Sequence, residues 1–279
     1  MSAQSAARIV RSTYAIRILW TGVVVLALIG VLAAVGRAIS TAQGRTDTVV
    51  LSRADEWSMR MTAEAAGMQP GTARYEHAIT EGRRFLGTFY DHAVATWLHV
   101  APAALFMLLA PFQFSRRIRA RHIRVHRWSG RLIVGVAIPI GLSGLFFGLF
   151  VPYAGLLEIT GVGLFGALFL FALGRAFLAI RRKDTVTHRE WMIRMFAVAL
   201  GVAMQRVLAV PAVAITRQGP EGWFGETIWL GFSLTVAAAE LWIRATRARG
   251  TAEKGVAIPQ GATLPTANRG VTNAATDRG

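Results

Sequence analysis

Residues 131–151 read RLIVGVAIPIGLSGLFFGLFV and carry no charged side chain after Arg131. An α-helix rises about 1.5 Å per residue, so about 20 residues cross a hydrocarbon layer roughly 30 Å thick. This stretch has that length, and Ser143 is its only polar uncharged residue. It therefore predicts a transmembrane helix.

Similar stretches occur along the rest of the chain. Five further apolar segments are long enough, or nearly so, to span a membrane: 17–37, 96–114, 157–179, 191–213 and 226–243. Of the 279 residues, 53% are hydrophobic and 16% are charged, and the mean hydropathy is +0.43. This composition is too apolar for an ordinary soluble domain. The sequence predicts an all-α integral membrane protein with six transmembrane helices.

The positive charge lies mostly beside the apolar segments, in alternate connections. The stretch 115–131 has seven arginines and no acid, whereas 152–156 has no basic residue. Because Lys and Arg favour the cytoplasmic side of short loops, this alternation predicts that both termini are cytoplasmic. Topology thus accounts for the net charge of +16 without nucleic-acid binding, and the arginine-rich loops predict contact with anionic lipid.

The segments divide the chain into four regions. Residues 1–39 form a cytoplasmic segment and the first helix, 40–95 an extracytoplasmic segment, 96–243 a five-helix bundle and 244–279 a disordered cytoplasmic tail. The first helix begins like a signal peptide, but its apolar run exceeds the ~7–15 residues of such a peptide, which favours an uncleaved anchor. The extracytoplasmic segment predicts one or two amphipathic helices on the outer face of the bundle.

The residue types present exclude several kinds of chemistry. There is no cysteine, so disulfides, thiolate catalysis, iron–sulfur clusters and cysteine zinc sites are excluded. There is no phosphate loop, nucleophile elbow or kinase motif, so no enzymatic activity is assigned. His122 and His126 have the i, i+4 spacing of a zinc site, but they lack the glutamate of a metalloprotease and are surrounded by arginines.

Ionisable residues inside a span indicate function by default, because they are costly to place there. His99 lies in the second predicted helix, and Gln205 and Arg206 lie at a comparable depth in the fifth. One interpretation is a polar pocket that opens outward and binds an anion, a quinone head group or the carboxylates of a cofactor. In the other, Arg206 extends to the head groups and His99 makes one interhelical hydrogen bond.

A second polar cluster is expected near the cytoplasmic side. Glu240 falls in the inner part of the sixth predicted helix, and Arg175 and Arg194 reach a similar depth on the fourth and fifth. An ion pair between Glu240 and either arginine would reduce the cost of placing both charges there. We interpret this cluster as structural rather than as a proton relay.

Two related motifs begin the third and fifth helices: VHRWSGR at 125–131 and THREWMIR at 187–194. In one interpretation His126 and His188 bind the iron of one haem b, because histidine is a common haem ligand. Nearby arginines would pair with the haem propionates, and the candidates are Arg127, Arg131, Arg189 and Arg194. Both histidines precede a tryptophan, which predicts that they lie at head-group level, where a haem would be poorly buried.

Topology explains much of the same two motifs. Thr187 and Glu190 have the spacing of a capping box before an apolar run, which predicts Thr187 as the N-cap of the fifth helix. Trp128 and Trp191 suit the interfacial aromatic belt, and the arginines suit the cytoplasmic side. These roles do not require histidine at either position.

The combination of His99, PFQF at 111–114, the arginine-rich loop, HRWSGR, HREWMIR and Gln205-Arg206 resembles a family of bacterial predicted membrane proteins, domain of unknown function 2306. The resemblance covers roughly residues 85–213. It implies a multi-pass protein of the bacterial inner (plasma) membrane with recurring histidines at the positions of His99, His126 and His188, and it implies no established reaction. The histidine-bearing helices are also loosely similar to membrane cytochromes of the b561 type, which place paired haem ligands within their spans.

Two functions therefore remain open. The first is electron transfer through a haem or quinone at a polar site formed by His99, His126, His188 and Arg206 among the second, third and fifth helices. The second is non-enzymatic: small-molecule transport, sensing or membrane assembly, with a membrane partner or a second copy of the chain. No metal is expected beyond a haem iron at His126 and His188.

Overall fold

The computed structural model describes residues 13–43 and 53–256. These residues form helices and connecting segments, with no strand among them. The helices are α1 (Thr13–Ala42), α2 (Arg53–Ala65), α3 (Ala73–Asp91), α4 (Ala93–Gln113), α5 (Arg116–Arg121), α6 (Ile123–Phe150), α7 (Leu156–Arg181), α8 (Thr185–Thr216) and α9 (Phe224–Val256). A short 3₁₀ turn, Pro220–Gly222, precedes α9.

Within residues 13–43 and 53–256, six helices are long and apolar enough to cross a membrane, which confirms the predicted fold class. The spans are Arg17–Ala42, Ala93–Gln113, Ile123–Phe150, Leu156–Arg181, Thr185–Thr216 and Phe224–Arg247. The third begins at Ile123 rather than at 131, and the fifth at Thr185 rather than at 191, because flanking polar residues continue each helix. The orientation of the bundle across the membrane stays a prediction.

The connections between successive spans gather at two ends of the bundle. We call the end that holds α5 and residues 182–184 the basic end, since α5 has the sequence RRIRAR. The opposite end is covered by α2 and α3, and we call it the cap end. There, Asp55 of α2 accepts hydrogen bonds from Arg37 Nη1 of α1 at 3.1 Å and from the Tyr90 hydroxyl of α3 at 2.7 Å. The amphipathic helices predicted for 40–95 are thus tied to the end of α1.

Five helices form a closed ring, and α9 lies outside it. Each of α1, α4, α6, α7 and α8 packs against the next, and α8 packs against α1. The interior is apolar and includes the buried residues Phe106, Ile133, Ala137, Phe169 and Met195. α9 packs against α8 and α7 from outside the ring. The first predicted span is therefore part of the bundle and not only an anchor.

Close contact between α6 and α7 depends on glycine. A Cβ added at Gly148 would lie 2.3 Å from Cγ1 and 2.4 Å from Cβ of Val162. Rotation of the valine side chain cannot relieve the contact with its own Cβ, so the two helices would have to separate. On the same helix, a Cβ at Gly135 would have no neighbour within 4 Å outside its own helix backbone and adjacent residues.

We expect Gly148→Ala to destabilise the protein by about 1–3 kcal/mol, because overpacking forces backbone movement. Gly135→Ala is the matched control and should be neutral or slightly stabilising, since alanine is the better helix former. Thermal unfolding in detergent, followed by tryptophan fluorescence, measures both. Equal melting temperatures for the two variants would contradict the proposed close packing.

Two predicted boundaries are wrong. Asp184, not Thr187, is the N-cap of α8, and its side chain accepts a hydrogen bond from Thr187 N at 3.0 Å. Aspartate is as good an N-cap as threonine and stands earlier in the chain, so the helix gains its first turn. The predicted disordered tail also starts too early, since α9 continues to Val256 and Arg247 contacts Glu190 of α8. The predicted disorder of 257–279 lies outside the described residues.

Candidate functional site

The face of α6 that points into the ring carries His126 near the basic end and Gly144 nearer the cap end. His126 and Gly144 are 18 residues apart, which is five turns of 3.6 residues, so they lie on one face. Ile133 and Ala137 lie within about 20° of that face, and both are 0% exposed. The face that carries His126 and Gly144 therefore points into the ring.

The inward face of α8 follows the same spacing. His188 and Arg206 are also 18 residues apart, and Met195 lies within about 20° of their face and is 0% exposed. Eighteen residues correspond to about 27 Å along a helix. The ring therefore has one polar level at the basic end and another towards the cap end, with an apolar layer between them.

His126 and His188 form the level at the basic end. The His188 Nδ1 lies 2.9 Å from the carbonyl oxygen of Ala176 on α7. The His126 Nδ1 is buried and has no hydrogen-bond partner among the described residues. The two rings lie within range of electrostatic interaction, and Arg119 and Arg127 are further charged neighbours of His126. Each histidine is the fourth residue of a helix that is long enough to span a membrane.

His99 belongs to the second level. Its Nδ1 lies 3.2 Å from the Ile140 carbonyl and 3.1 Å from the Ser143 hydroxyl, both on α6. Because the serine hydroxyl can donate its one hydrogen to the Pro139 carbonyl at 2.5 Å, and because a carbonyl can only accept, we assign the proton to Nδ1 of His99. The ring lies against Gly144, where an added Cβ would be 3.3 Å from its Cε1.

Arg206 lies close to this histidine. Arg206 Nη1 donates to the carbonyl of Val202, one turn back on α8, at 3.0 Å. The side chain thus turns back along its own helix, and it lies within electrostatic range of His99 and of Arg37 on α1. It keeps exposed surface, as do Val207 at 43% and Val210 at 69%. α8, enclosed from residue 193 to 201, thus opens to its surroundings at this level.

Gln205 does not join His99 and Arg206. It is buried, and its Nε2 donates to the Thr227 hydroxyl of α9 at 3.1 Å. Consecutive helical residues point about 100° apart, so Arg206 and Gln205 face different helices. Of the three residues predicted for this pocket, only His99 and Arg206 lie within electrostatic range of each other.

Ion pairs join α8 to α9 near the basic end. Arg194 Nε lies 2.5 Å from Glu240 Oε1, and Nη2 lies 3.1 Å from Oε2, which confirms the predicted partnership of Glu240 with one of two arginines. The other candidate, Arg175, lies over the Trp191 ring, as does Arg194. Glu190 pairs with two nitrogens of Arg247, and this pair was not predicted.

A further polar cluster lies at the cap end. There, Tyr153 in the loop before α7 contacts α3 and the 3₁₀ turn before α9. Its hydroxyl lies 2.8 Å from Glu81 Oε2 and 3.3 Å from Glu221 Oε2. Burial, together with these two carboxylates, raises the pKa of the Tyr153 phenol above its ordinary value. The phenol therefore stays protonated and can donate to only one of the two carboxylates at a time.

We expect the contribution of Tyr153 to stability to be complete below pH ~10 and to fall as the pH rises further. An unfolded tyrosine loses its proton near pH 10, whereas the folded phenol, with its raised pKa, retains it, so unfolding then releases a proton. Melting temperatures of the wild type and Tyr153→Phe, measured from pH 8 to 11, should converge as the pH rises. A constant difference would contradict the raised pKa.

Six spans and two internal polar levels define the chain as a multi-pass helical membrane protein. A family model described as "Predicted membrane protein (DUF2306)" matches residues 96–243, just over half of the chain. The chain belongs to this family, which confirms the resemblance and extends it through most of α9. The family description names no reaction, ligand or partner. Comparisons with curated proteins and with solved structures gave no match.

Proposed function

We propose that the protein binds one haem b between His126 and His188 and carries electrons within the membrane. The observation behind this proposal is the His126 ring, whose buried Nδ1 lacks a hydrogen-bond partner among the described residues. An unsatisfied buried polar atom costs about 1–3 kcal/mol, so a native site with this feature calls for a missing partner. Histidine rings are common ligands of haem iron.

The His188 ring supports the proposal through its hydrogen bond. A ligating histidine almost always donates its other ring N–H to a carbonyl, carboxylate or water, which fixes the tautomer. A carbonyl only accepts, so the contact with Ala176 O places the proton on Nδ1 of His188 and leaves the Nε2 lone pair for a metal. His188 also faces the same interior as His126 and lies within its electrostatic range. His188 Nε2 and the unpartnered His126 Nδ1 are therefore the two nitrogens that would bind the iron.

Other residues near His126 and His188 would pair with the haem propionates or shield the haem from water. Arg127, a charged neighbour of His126, would neutralise a propionate. Arg194 is already paired with Glu240, and Arg131 lies over the exposed ring of Trp128. Ile133 and Met195, both fully buried, would exclude water from the inner edge of the group. The haem itself would supply one-electron exchange.

Absorption spectroscopy tests this proposal. The full chain is expressed with ample haem supply, purified in detergent and measured before and after reduction with dithionite. We expect a Soret band that shifts on reduction and about one haem per chain, as two histidine ligands specify a single site. Purified, folded protein without haem would reject the proposal and favour the non-enzymatic alternative of transport, sensing or membrane assembly.

We also propose that the basic end faces the cytoplasm of a bacterial inner membrane and contacts anionic lipid there. The support is the concentration of arginine in α5 and beside the starts of α6 and α8. The chain has no cysteine, so a single introduced thiol reports its side without background. In intact cells a membrane-impermeant maleimide should label Gln69→Cys at the cap end and not Arg182→Cys. The reverse labelling would invert the orientation.

A further inference from the structure

We propose that His99 and Arg206 form a binding site for a quinol, entered from the membrane in the half of the bundle nearest the cap end. The site deepens the proposed function by naming a redox partner, and it rests on that function only for this choice of ligand class. Its geometry is independent of the haem.

His99 supplies an acceptor. Its Nδ1–H is held by the Ile140 carbonyl and the Ser143 hydroxyl, so Nε2 carries a lone pair and has no partner among the described residues. A neutral imidazole of this tautomer binds a ligand that brings its own hydrogen, such as a hydroxyl group. A ligand oxygen without a hydrogen would face the lone pair and be repelled.

Arg206 supplies donors and a positive charge. One N–H bonds to the Val202 carbonyl, and no acidic side chain among the described residues pairs with the guanidinium. Its charged neighbour Arg37, which is itself paired with Asp55, adds to the positive potential. A guanidinium within a span is costly, so a ligand oxygen that accepts its free N–H groups is favoured.

Access to the site indicates a lipid-soluble ligand. Arg206 keeps exposed surface, and so do Val207 and Val210 further along α8, whereas the core at Met195 is closed. The exposed side chains beyond Arg206 on this flank are apolar, as expected where a helix meets lipid. A hydrophobic molecule can therefore reach the polar pair from the bilayer with its tail left in the lipid.

These features together select the reduced form of a quinone. A quinol offers a hydroxyl hydrogen to His99 Nε2, oxygen lone pairs to Arg206 and an apolar ring and tail. The oxidised quinone offers only acceptors, so it satisfies Arg206 and leaves His99 without a donor. We therefore expect the site to prefer the quinol over the quinone by about tenfold, since only the quinol can donate a hydrogen bond to His99 Nε2.

The test uses the purified full chain in detergent with decylubiquinol, decylubiquinone and the dimethyl ether of decylubiquinol as probes, and it measures binding by quenching of tryptophan fluorescence. Binding of the quinol at least tenfold tighter than that of the quinone and the ether supports the proposal. Equal binding of quinol and ether overturns it, because the ether has no hydroxyl hydrogen. Oleic acid, whose carboxylate can pair with Arg206, overturns the ligand class if it binds more tightly than the quinol.

Three variants test whether the quinol binds at His99 and Arg206. Arg206→Gln should weaken quinol binding at least tenfold. It should fold, since among the described residues the Arg206 side chain bonds only to its own helix. His99→Phe should remove the preference for quinol over quinone. Arg217→Gln, an exposed arginine at the end of α8, is the matched control and should bind as the wild type does. Unchanged quinol binding in Arg206→Gln overturns the proposal.

The two proposals fail separately. Quinol binding by a preparation that contains no haem would reject the haem site and keep the quinol site. A haem-loaded protein that binds none of the probes would keep the haem and reject the quinol site.

Discussion

His188→Ala loses bound haem: we expect the ratio of haem to protein after purification to fall at least tenfold. Mutating a group that only orients a metal ligand typically costs about 10–100-fold in affinity, and removing the ligand itself should cost no less. The variant also loses the hydrogen bond to Ala176, but one such bond contributes only about 0.5–1.5 kcal/mol. Loss of haem without unfolding is therefore the expected result.

His126→Ala should lose haem in the same way, because its ring is the second proposed ligand. His122→Ala is the matched control, since His122 is exposed and lies one turn before His126. Absorbance at the Soret band relative to protein absorbance measures all three variants, with size-exclusion profiles as the check on folding. Full haem content in folded His188→Ala would show that the ligands lie elsewhere.

Arg247→Ala should be the most destabilising substitution in the interface between α8 and α9. Glu190 is only 3% exposed and pairs with two nitrogens of Arg247, whose own side chain is 59% exposed. Removing the arginine leaves a buried carboxylate without its partner, which costs about 3–5 kcal/mol. We expect a fall in the melting temperature on the order of 10 °C.

Because Glu190 is buried and Arg247 is exposed, substitutions at the two residues should reduce stability by different amounts. Glu190→Gln removes the buried charge and leaves Arg247 accessible, so it should cost less than Arg247→Ala. Adding Glu190→Gln to Arg247→Ala should restore part of the lost stability, because a neutral amide replaces the unpaired carboxylate. Arg60→Ala breaks an exposed pair with Glu56 and is the control, with an expected effect of about 0.5 kcal/mol or less. Additive losses in the double variant would contradict the buried carboxylate.

The six spans could be predicted because the length and apolarity of a segment are local properties. The starts of α6 and α8 could not be placed in the same way, since polar residues extend both helices beyond their apolar runs. At α8 two good caps stand three residues apart, and Asp184, the earlier one, begins the helix. The sequence therefore predicted His188 as the first residue of the helix, whereas in the structure it is the fourth.

Contacts between distant residues were harder to predict. Glu190 and Arg247 are 57 positions apart, and Arg247 was assigned to a disordered tail. Gln205 was placed with His99 because it neighbours Arg206 in sequence, although adjacent helical residues face about 100° apart. The spacing of 18 residues between His188 and Arg206 was available in the sequence and would have indicated that these two share a face.

The apolar layer between the two polar levels has an electrical consequence. Ile133, Ala137 and Met195 are completely buried, so this apolar layer has a lower dielectric constant than the polar levels on either side of it. A transmembrane potential would therefore drop mainly across it, at about 2.3 kcal/mol per elementary charge for each 100 mV. Any charge that passes between His99 and the His126–His188 pair would move with or against that field. Its rate should change when the membrane is polarised.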